Sequence, residues 1–167
     1  ELIKSVITSF SGLEFRLQFI SEINGIKFYN DSFGTTPETT KVAIESFKEP
    51  KVLIVGGGQK DSDYSILAKS IKKSNIRKIV LIGNTSNKLH PTASLIIKDE
   101  FLKQGIENIL DLTSSDNKTM DSIVESSYNE AQKGDIVLLS AACTSFDMFD
   151  NYKQRGEKFS EAVLKLS

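Results

Sequence analysis

Three short stretches of the sequence are continuously apolar and run directly into glycine or other small residues. They are KVLIVGGG at 51–58, RKIVLIGN at 77–84 and DIVLLSAA at 135–142. Strands with apolar residues on both sides belong in a sheet that is covered on both faces, and the helical patterns between them supply that cover. The sequence therefore predicts an α/β fold: a mostly parallel sheet with helices on both faces.

An N-terminal β-hairpin precedes these strands. Asn24 and Gly25 stand between β-prone segments, which is the pattern of a type I′ turn. Thr36 followed by Pro37 predicts a helix over 37–47, with Thr36 as its cap. Further helical patterns are predicted over 2–10, 63–73 (capped by Asp61 or Asp63), 86–90, 117–133 (ended by Gly134) and 146–166, whereas the state of 93–99 is left open.

The composition sets limits on the class of protein. A chain of 167 residues suits a single domain, 1–167, and its net charge of −1 gives no general attraction for nucleic acid. No apolar run approaches the ~20 residues that span a bilayer, so no membrane partner is expected. The single cysteine excludes an intrachain disulfide and favours the cytoplasm. Because the chain opens with Glu1 rather than Met, we interpret it as part of a longer protein.

Four of the predicted strands end in loops rich in polar and small residues. The loops are NDSFGTT at 30–36, GGGQKDSD at 56–63, GNTSN at 83–87 and SAACTSF at 140–146. Since ligands in parallel sheets bind beyond the carboxyl ends of the strands, we expect these loops to share one site.

Two of these loops have both an ordinary and a functional interpretation. Thr36 alone would cap its helix, whereas Asp31 and Thr35 beside it fit an anion-binding helix end. The glycines at 56–58 lack the spacing of a P-loop and are typical of a tight turn. Lys60, just after them, could bind one oxygen of an anion.

The loop at 140–146 carries the only cysteine of the chain, Cys143. The only histidine, His90, has no partner pattern for a Cys/His mechanism, so we predict that Cys143 is a packing residue and that His90 lies on the surface. Ser145 is predicted to start the last helix, where backbone N–H groups could bind a carboxylate. No spacing of His, Cys or Asp suggests a metal site.

Taken together, three segments resemble the C-terminal domain of the Mur ligases: GLEFRLQFISEINGIKFYNDSFGTTPETT, GGGQKDSDY and GDIVLLSAACTSFDMFDNYKQRGEKF. The resemblance covers essentially the whole chain in the family's order, and the branch that adds D-glutamate is the most similar. The resemblance implies a Rossmann-like fold in an ATP-dependent enzyme, which joins D-glutamate to UDP-N-acetylmuramoyl-L-alanine through an acyl phosphate in peptidoglycan synthesis.

The same resemblance implies where the remaining functions lie. ATP and Mg²⁺ would act in the complete enzyme, whose UDP-binding N-terminal and central ATPase domains are absent from this sequence. The chain alone is therefore expected to bind no cofactor tightly and to be inactive, and no catalytic or metal-binding residue is assigned to it.

The resemblance also implies roles for individual residues. Arg16 would reach the nucleotide phosphates and Asp31 would hold the ribose. D-Glutamate would be bound by Thr35, Lys60, Ser145, Phe146 and Tyr152. Two positions depart from the common pattern: Phe33 stands where a lysine is usual, and Tyr152 where phenylalanine is usual.

Two other functions remain open from the sequence. The chain could belong to another Mur-like amide ligase, which would carry a different motif for its amino acid. It could also be a non-catalytic α/β ligand-binding module.

Overall fold

A six-stranded sheet forms the centre of the protein. The computed structural model describes residues 12–114 and 119–166. The strands in chain order are β1 (Gln18–Ile23), β2 (Ile26–Asn30), β3 (Lys51–Val55), β4 (Ile76–Leu81), β5 (Ile109–Asp111) and β6 (Ile136–Leu139). Their order in the sheet is β1-β2-β6-β3-β4-β5, and every neighbouring pair except β1–β2 is parallel.

Helices cover both faces of this sheet, as predicted. They are α1 (Pro37–Glu45), α2 (Ser65–Lys73), α3 (Ser94–Lys103), α4 (Met120–Glu130) and α5 (Tyr152–Leu164). Helices α1, α2 and α3 pack on one face, and α4 and α5 pack on the other. The central strand β3 serves both cores, because Leu53 and Val55 point to the first face whereas Val52 and Ile54 point to the second.

The hairpin and the first helix form for the reasons that the sequence suggested. Asn24 and Gly25 have φ values of 52° and 79°, the left-handed pair that a type I′ turn requires. Thr36 caps α1, and its hydroxyl accepts a hydrogen bond from the Thr39 N–H at 3.4 Å. Both predictions are confirmed.

Several predicted elements differ from the structure. Residues 86–90 form turns rather than a helix, and the open stretch 93–99 belongs to α3. The last helix begins at Tyr152 instead of 146, and α4 ends at Glu130, before Gly134. The strand β5 was not predicted, since only three residues form it.

Two further predictions concern helix ends. The cap position of α2 is Tyr64, which makes no side-chain cap hydrogen bond, so the predicted cap by Asp61 or Asp63 is wrong; Asp63, one residue earlier, accepts the Ser65 N–H at 2.9 Å. The helix predicted over 2–10 lies outside the described residues. Among the described helices, none has the length and apolar character needed to cross a bilayer.

Candidate functional site

The loops after β2, β6, β3 and β4 meet at one edge of the sheet. These four strands are neighbours and run parallel, so their carboxyl ends coincide. The Ala142 N–H donates to the Gly34 carbonyl at 3.2 Å, which joins the loops after β6 and β2. The Gly58 N–H donates to the Thr144 carbonyl at 2.9 Å, which joins the loops after β3 and β6. The predicted common site edge is therefore present.

The glycine turn after β3 allows a close approach between backbones. Gly57 has φ 143°, and a Cβ atom built on it would lie 2.4 Å from the Thr144 carbonyl oxygen. A larger residue would push the loop after β6 away. The glycines at 56–58 thus make contact with the neighbouring loop, beyond their role in a tight turn.

Ser145 lies at the common edge but does not begin the last helix. Its side chain is buried, and its carbonyl accepts the N–H groups of Met148 at 3.1 Å and Phe149 at 2.8 Å. The helix α5 begins at Tyr152 and is capped by Asn151, whose carboxamide accepts the N–H groups of residues 153 and 154. The interpretation of Ser145 as a helix end is therefore wrong, because a single turn separates it from α5.

The remaining residues assigned to an amino acid ligand occupy different positions on the edge. Lys60 is exposed and follows by two residues Gly58, which pairs with Thr144. Thr35 is half-buried and directly precedes the cap of α1. Phe146 is 52% exposed, and its ring centroid is 6.2 Å from that of His90.

Two neighbouring cavities flank Arg16 and Phe33. The first, of about 450 Å³, is lined by Arg16, Leu17, Asp31, Phe33, Gly34, Glu38, Thr39, Val42 and Ala43. The second, of about 470 Å³, is lined by Gly12, Leu13, Glu14, Arg16, Phe33 and Tyr152. The structure thus brings Arg16 and Asp31, both assigned to a nucleotide, to one cavity, and places Tyr152 in the adjoining one.

Asp31 is a buried carboxylate with structural bonds of its own. Its two oxygens accept the Leu17 N–H at 3.3 Å and the Ser140 hydroxyl at 2.7 Å, and Ser140 also lies 2.9 Å from the Thr40 hydroxyl. Burial raises the pKa of Asp31 above its usual value, although these donors act in the opposite direction. Asp31 therefore holds the β2 and β6 loops together as well as lining the first cavity.

Arg155, on α5, is the buried residue that the sequence analysis missed. Its guanidinium donates to the Ser32 carbonyl at 2.8 Å and hydroxyl at 2.9 Å, and to the Cys143 and Thr144 carbonyls, both at 3.2 Å. Burial lowers its pKa to about 10, so it remains charged at neutral pH. An arginine followed by glycine in an amphipathic helix was the only sequence signal, and it does not distinguish a surface arginine from a buried one.

The cysteine and the histidine behave as predicted. Cys143 is fully buried, with its sulfur 3.5 Å from the Tyr64 hydroxyl, and burial raises the pKa of its thiol to about 11. It is therefore a protonated packing residue and not a nucleophile at neutral pH. His90 is exposed. Within residues 12–114 and 119–166, no group of three or more His, Cys, Asp or Glu side chains is arranged to hold a metal ion.

Comparison with known protein families gives one match that spans most of the chain. The model of the family described as "Mur ligase, glutamate ligase domain" matches residues 15–143.

Curated relatives match over nearly the whole chain. The UDP-N-acetylmuramoylalanine--D-glutamate ligase of Caldanaerobacter subterraneus subsp. tengcongensis is 41% identical, over 99% of this chain and 34% of the relative. The enzyme of the same name from Caldicellulosiruptor bescii is 40% identical, over 99% of this chain and 33% of the relative. The chain thus spans about a third of the length of the curated relatives it matches.

Solved structures share the fold at low sequence identity. The MurF ligase from Thermotoga maritima in complex with ADP has a TM-score of 0.57 at 17% identity, over 95% of this chain and 33% of that one. The bifunctional folylpolyglutamate synthase/dihydrofolate synthase from Yersinia pestis has a TM-score of 0.60 at 10% identity, over 95% of this chain and 32% of that one. These similarities confirm the Rossmann-like α/β architecture.

Proposed function

We propose that this chain, which belongs to the Mur ligase family by its glutamate ligase domain, is the D-glutamate-binding part of an ATP-dependent ligase. The ligase would join D-glutamate to UDP-N-acetylmuramoyl-L-alanine through an acyl phosphate, releasing ADP and phosphate in peptidoglycan synthesis. The observation that carries this proposal is the match to D-glutamate ligases at about 40% identity over nearly the whole chain.

The amino acid would bind where the loops after β3 and β6 pair. D-Glutamate carries two carboxylates, and each needs donors of its own. The ammonium of Lys60 and the hydroxyl of Ser145 would hold one, since the Gly58–Thr144 hydrogen bond brings their segments together. Thr35, at the amino end of α1, would hold the other. Phe146 and Tyr152 would form the walls.

The nucleotide would bind at the first cavity. Asp31 lines this cavity and can accept a hydrogen bond from a ribose hydroxyl. Arg16 stands between the two cavities, where its guanidinium can bind phosphate oxygens. We assign no Mg²⁺ ligand to this chain, and we expect the phosphate-activating groups to belong to the rest of the enzyme.

Titration of the ¹⁵N-labelled chain with D-glutamate tests the amino acid half of the proposal. We expect shifts of the backbone amides in 35–37, 58–61 and 145–152 at millimolar ligand. Lys60→Ala should weaken the affinity about tenfold or more, because a charge-assisted hydrogen bond is lost. Lys72→Ala, at an exposed lysine on α2, is the matched control and should change nothing.

Each alternative function gives a different result. Equal shifts with L-glutamate would contradict the assignment to the D-amino acid. Shifts only with a diamino acid such as meso-diaminopimelate or lysine would indicate another amide ligase of the family. An unchanged affinity in Lys60→Ala would place the ligand elsewhere.

A further inference from the structure

The boundary between the two cavities consists of two side chains. Arg16 and Phe33 are the residues that line both cavities, of about 450 and 470 Å³. The guanidinium carbon of Arg16 lies over the Phe33 ring, 4.9 Å from its centroid, which is the geometry of a cation–π contact. A ligand that extends from one cavity into the other must pass this pair.

The guanidinium of Arg16 has no hydrogen-bond acceptor within residues 12–114 and 119–166. Arg16 is exposed, and its side chain has no hydrogen bond or ion pair to any other described residue. A guanidinium that lies against an aromatic ring and has no hydrogen-bond partner among the described residues is suited to an anion with several oxygens.

The Phe33 ring contacts Tyr152, and the Phe33 backbone is bound to Phe15. The ring of Tyr152 meets it edge-on, with centroids 5.2 Å apart and planes at 86°. The Phe33 N–H donates to the Phe15 carbonyl at 2.9 Å, and the Phe15 ring meets Tyr152 edge-on at 6.4 Å. These contacts restrain the ring beneath the guanidinium, and 44% of the residue is exposed.

The backbone on either side of Arg16 is in an unusual conformation. Phe15 and Leu17 have φ values of 60° and 45°, in the left-handed region that side chains other than glycine rarely adopt. Such conformations cost free energy and persist where the surrounding structure fixes them, often at binding sites. The strained backbone on both sides of Arg16 is a second observation, independent of the ring contacts.

We propose that Phe33 is a positioning residue: its ring holds the Arg16 guanidinium at the boundary between the cavities, so that the guanidinium binds a polyphosphate chain there. This inference rests on the proposed function, which places a nucleotide at Arg16. A lysine at position 33 would add a second positive charge beside Arg16, whereas the Phe33 ring orients the guanidinium of Arg16 itself.

The experiment uses inorganic tripolyphosphate as the probe and the Arg16 Nε–Hε resonance as the readout. Phe33→Leu keeps apolar bulk but removes the aromatic face, and Phe33→Tyr keeps the face. We expect Phe33→Leu to weaken binding about two- to fivefold and to abolish the ring-current shift of Arg16, with Phe33→Tyr within about twofold of the unmodified chain. In an Arg16→Gln background, Phe33→Leu should have no further effect on affinity.

The possible results separate this inference from the function on which it rests. If the unmodified chain binds the probe and Phe33→Leu binds it equally well, the inference is wrong and the nucleotide role of Arg16 stands. If Phe33→Leu weakens binding equally with and without Arg16, the ring acts on the fold and not through Arg16, which also overturns it. If the unmodified chain does not bind the probe, the nucleotide role fails with the inference, whereas the D-glutamate titration still decides the other half of the proposed function.

Discussion

At the scale of single residues, the edge of the sheet contains polar groups that would be costly in an ordinary core. Asp147 is 3% exposed, and one of its carboxylate oxygens accepts the Asn84 N–H at 3.0 Å. The other oxygen has no hydrogen-bond partner among the described residues. Buried polar atoms of this kind are rare in native proteins and need a reason. Here the carboxylate ties the loop after β4 to the loop after β6.

Burial of Asp147 makes this contact between the two loops sensitive to pH. It raises the pKa of Asp147 above its ordinary value of 3.8, against the opposing effects of the Asn84 N–H and the Arg155 charge. The folded protein therefore holds this proton more tightly than the unfolded chain does. The resulting stabilisation is complete below pH 3.8 and is lost as the pH rises through the raised pKa.

Asp147→Asn removes the titrating group and with it this part of the pH dependence. We expect the free energy of unfolding of the unmodified protein to fall relative to that of Asp147→Asn as the pH rises from roughly 3 to roughly 7. The reason is that a raised carboxyl pKa stabilises the folded state only while Asp147 is protonated. Urea unfolding at a series of pH values measures the difference. A constant difference across this range would show that Asp147 titrates normally.

At the scale of elements, the turn after β3 and the loop after β6 fit each other through backbone atoms. Gly58 pairs with Thr144, and Gly57 leaves no room for a side chain. The position of Ser145 thus depends on glycines that are distant in sequence. A substitution in the turn should therefore disturb the proposed amino acid site and not only the turn.

Gly57→Ala tests this fit, with Gly105→Ala as the matched control. Both glycines have positive φ, but a Cβ at Gly105 would meet no atom within 4 Å, whereas one at Gly57 would lie 2.4 Å from the Thr144 oxygen. Gly105→Ala should cost about 1 kcal/mol from backbone strain, and Gly57→Ala about 2 kcal/mol more, from the clash together with the greater backbone strain at its φ of 143°.

Urea unfolding measures both costs, and the amide shifts of residues 144 and 145 report the displaced loop. Equal decreases in the free energy of unfolding of the two variants would mean that the loop after β6 moves aside without destabilising the protein. In that case the close approach of the two backbones would not determine the position of Ser145.

At the scale of the whole molecule, one buried side chain joins three parts of the chain. Arg155 lies on α5 and is 1% exposed, and it donates to Ser32, after β2, and to the Cys143 and Thr144 carbonyls, after β6. Its partners are carbonyl and hydroxyl oxygens, and no carboxylate of the described residues lies within 4.0 Å of it. The charge is stabilised by four acceptors supplied by the tertiary fold.

Arg155→Met should destabilise the protein by about 2–4 kcal/mol, because buried carbonyls lose their donor. Arg155→Lys should recover part of this loss, since an ammonium can reach some but not all of the acceptors. Lys158→Met, on the same helix at an exposed ion pair with Glu161, is the control and should leave the free energy of unfolding unchanged within error. Thermal or urea unfolding of the three variants measures the effect, and an equally stable Arg155→Met would contradict it.

The sequence by itself determined the local structure wherever one short-range rule acts alone. Continuous apolar runs specify buried strands, Asn24-Gly25 specifies its turn because both residues accept positive φ, and Thr36-Pro37 specifies the start of α1. The fold class and the common edge followed from these signals, because parallel strands align their carboxyl ends. The family resemblance assigned Arg16 and Asp31 to a nucleotide; both line the first cavity, and their role there stays a prediction.

Only the tertiary structure decided which loops are in contact and which of two possible caps begins a helix. Nothing local places β6 between β2 and β3, since strand order depends on long-range packing, and that order pairs Gly58 with Thr144. Ser145 and Asn151 are both capable helix caps, and the helix begins after Asn151 because the turn at Ser145 is bound to other loops. From the sequence alone, Arg155 would be assigned to the surface. In the fold, the backbone carbonyls of two distant loops surround it, and acceptors contributed by the backbone cannot be identified from the order of side chains.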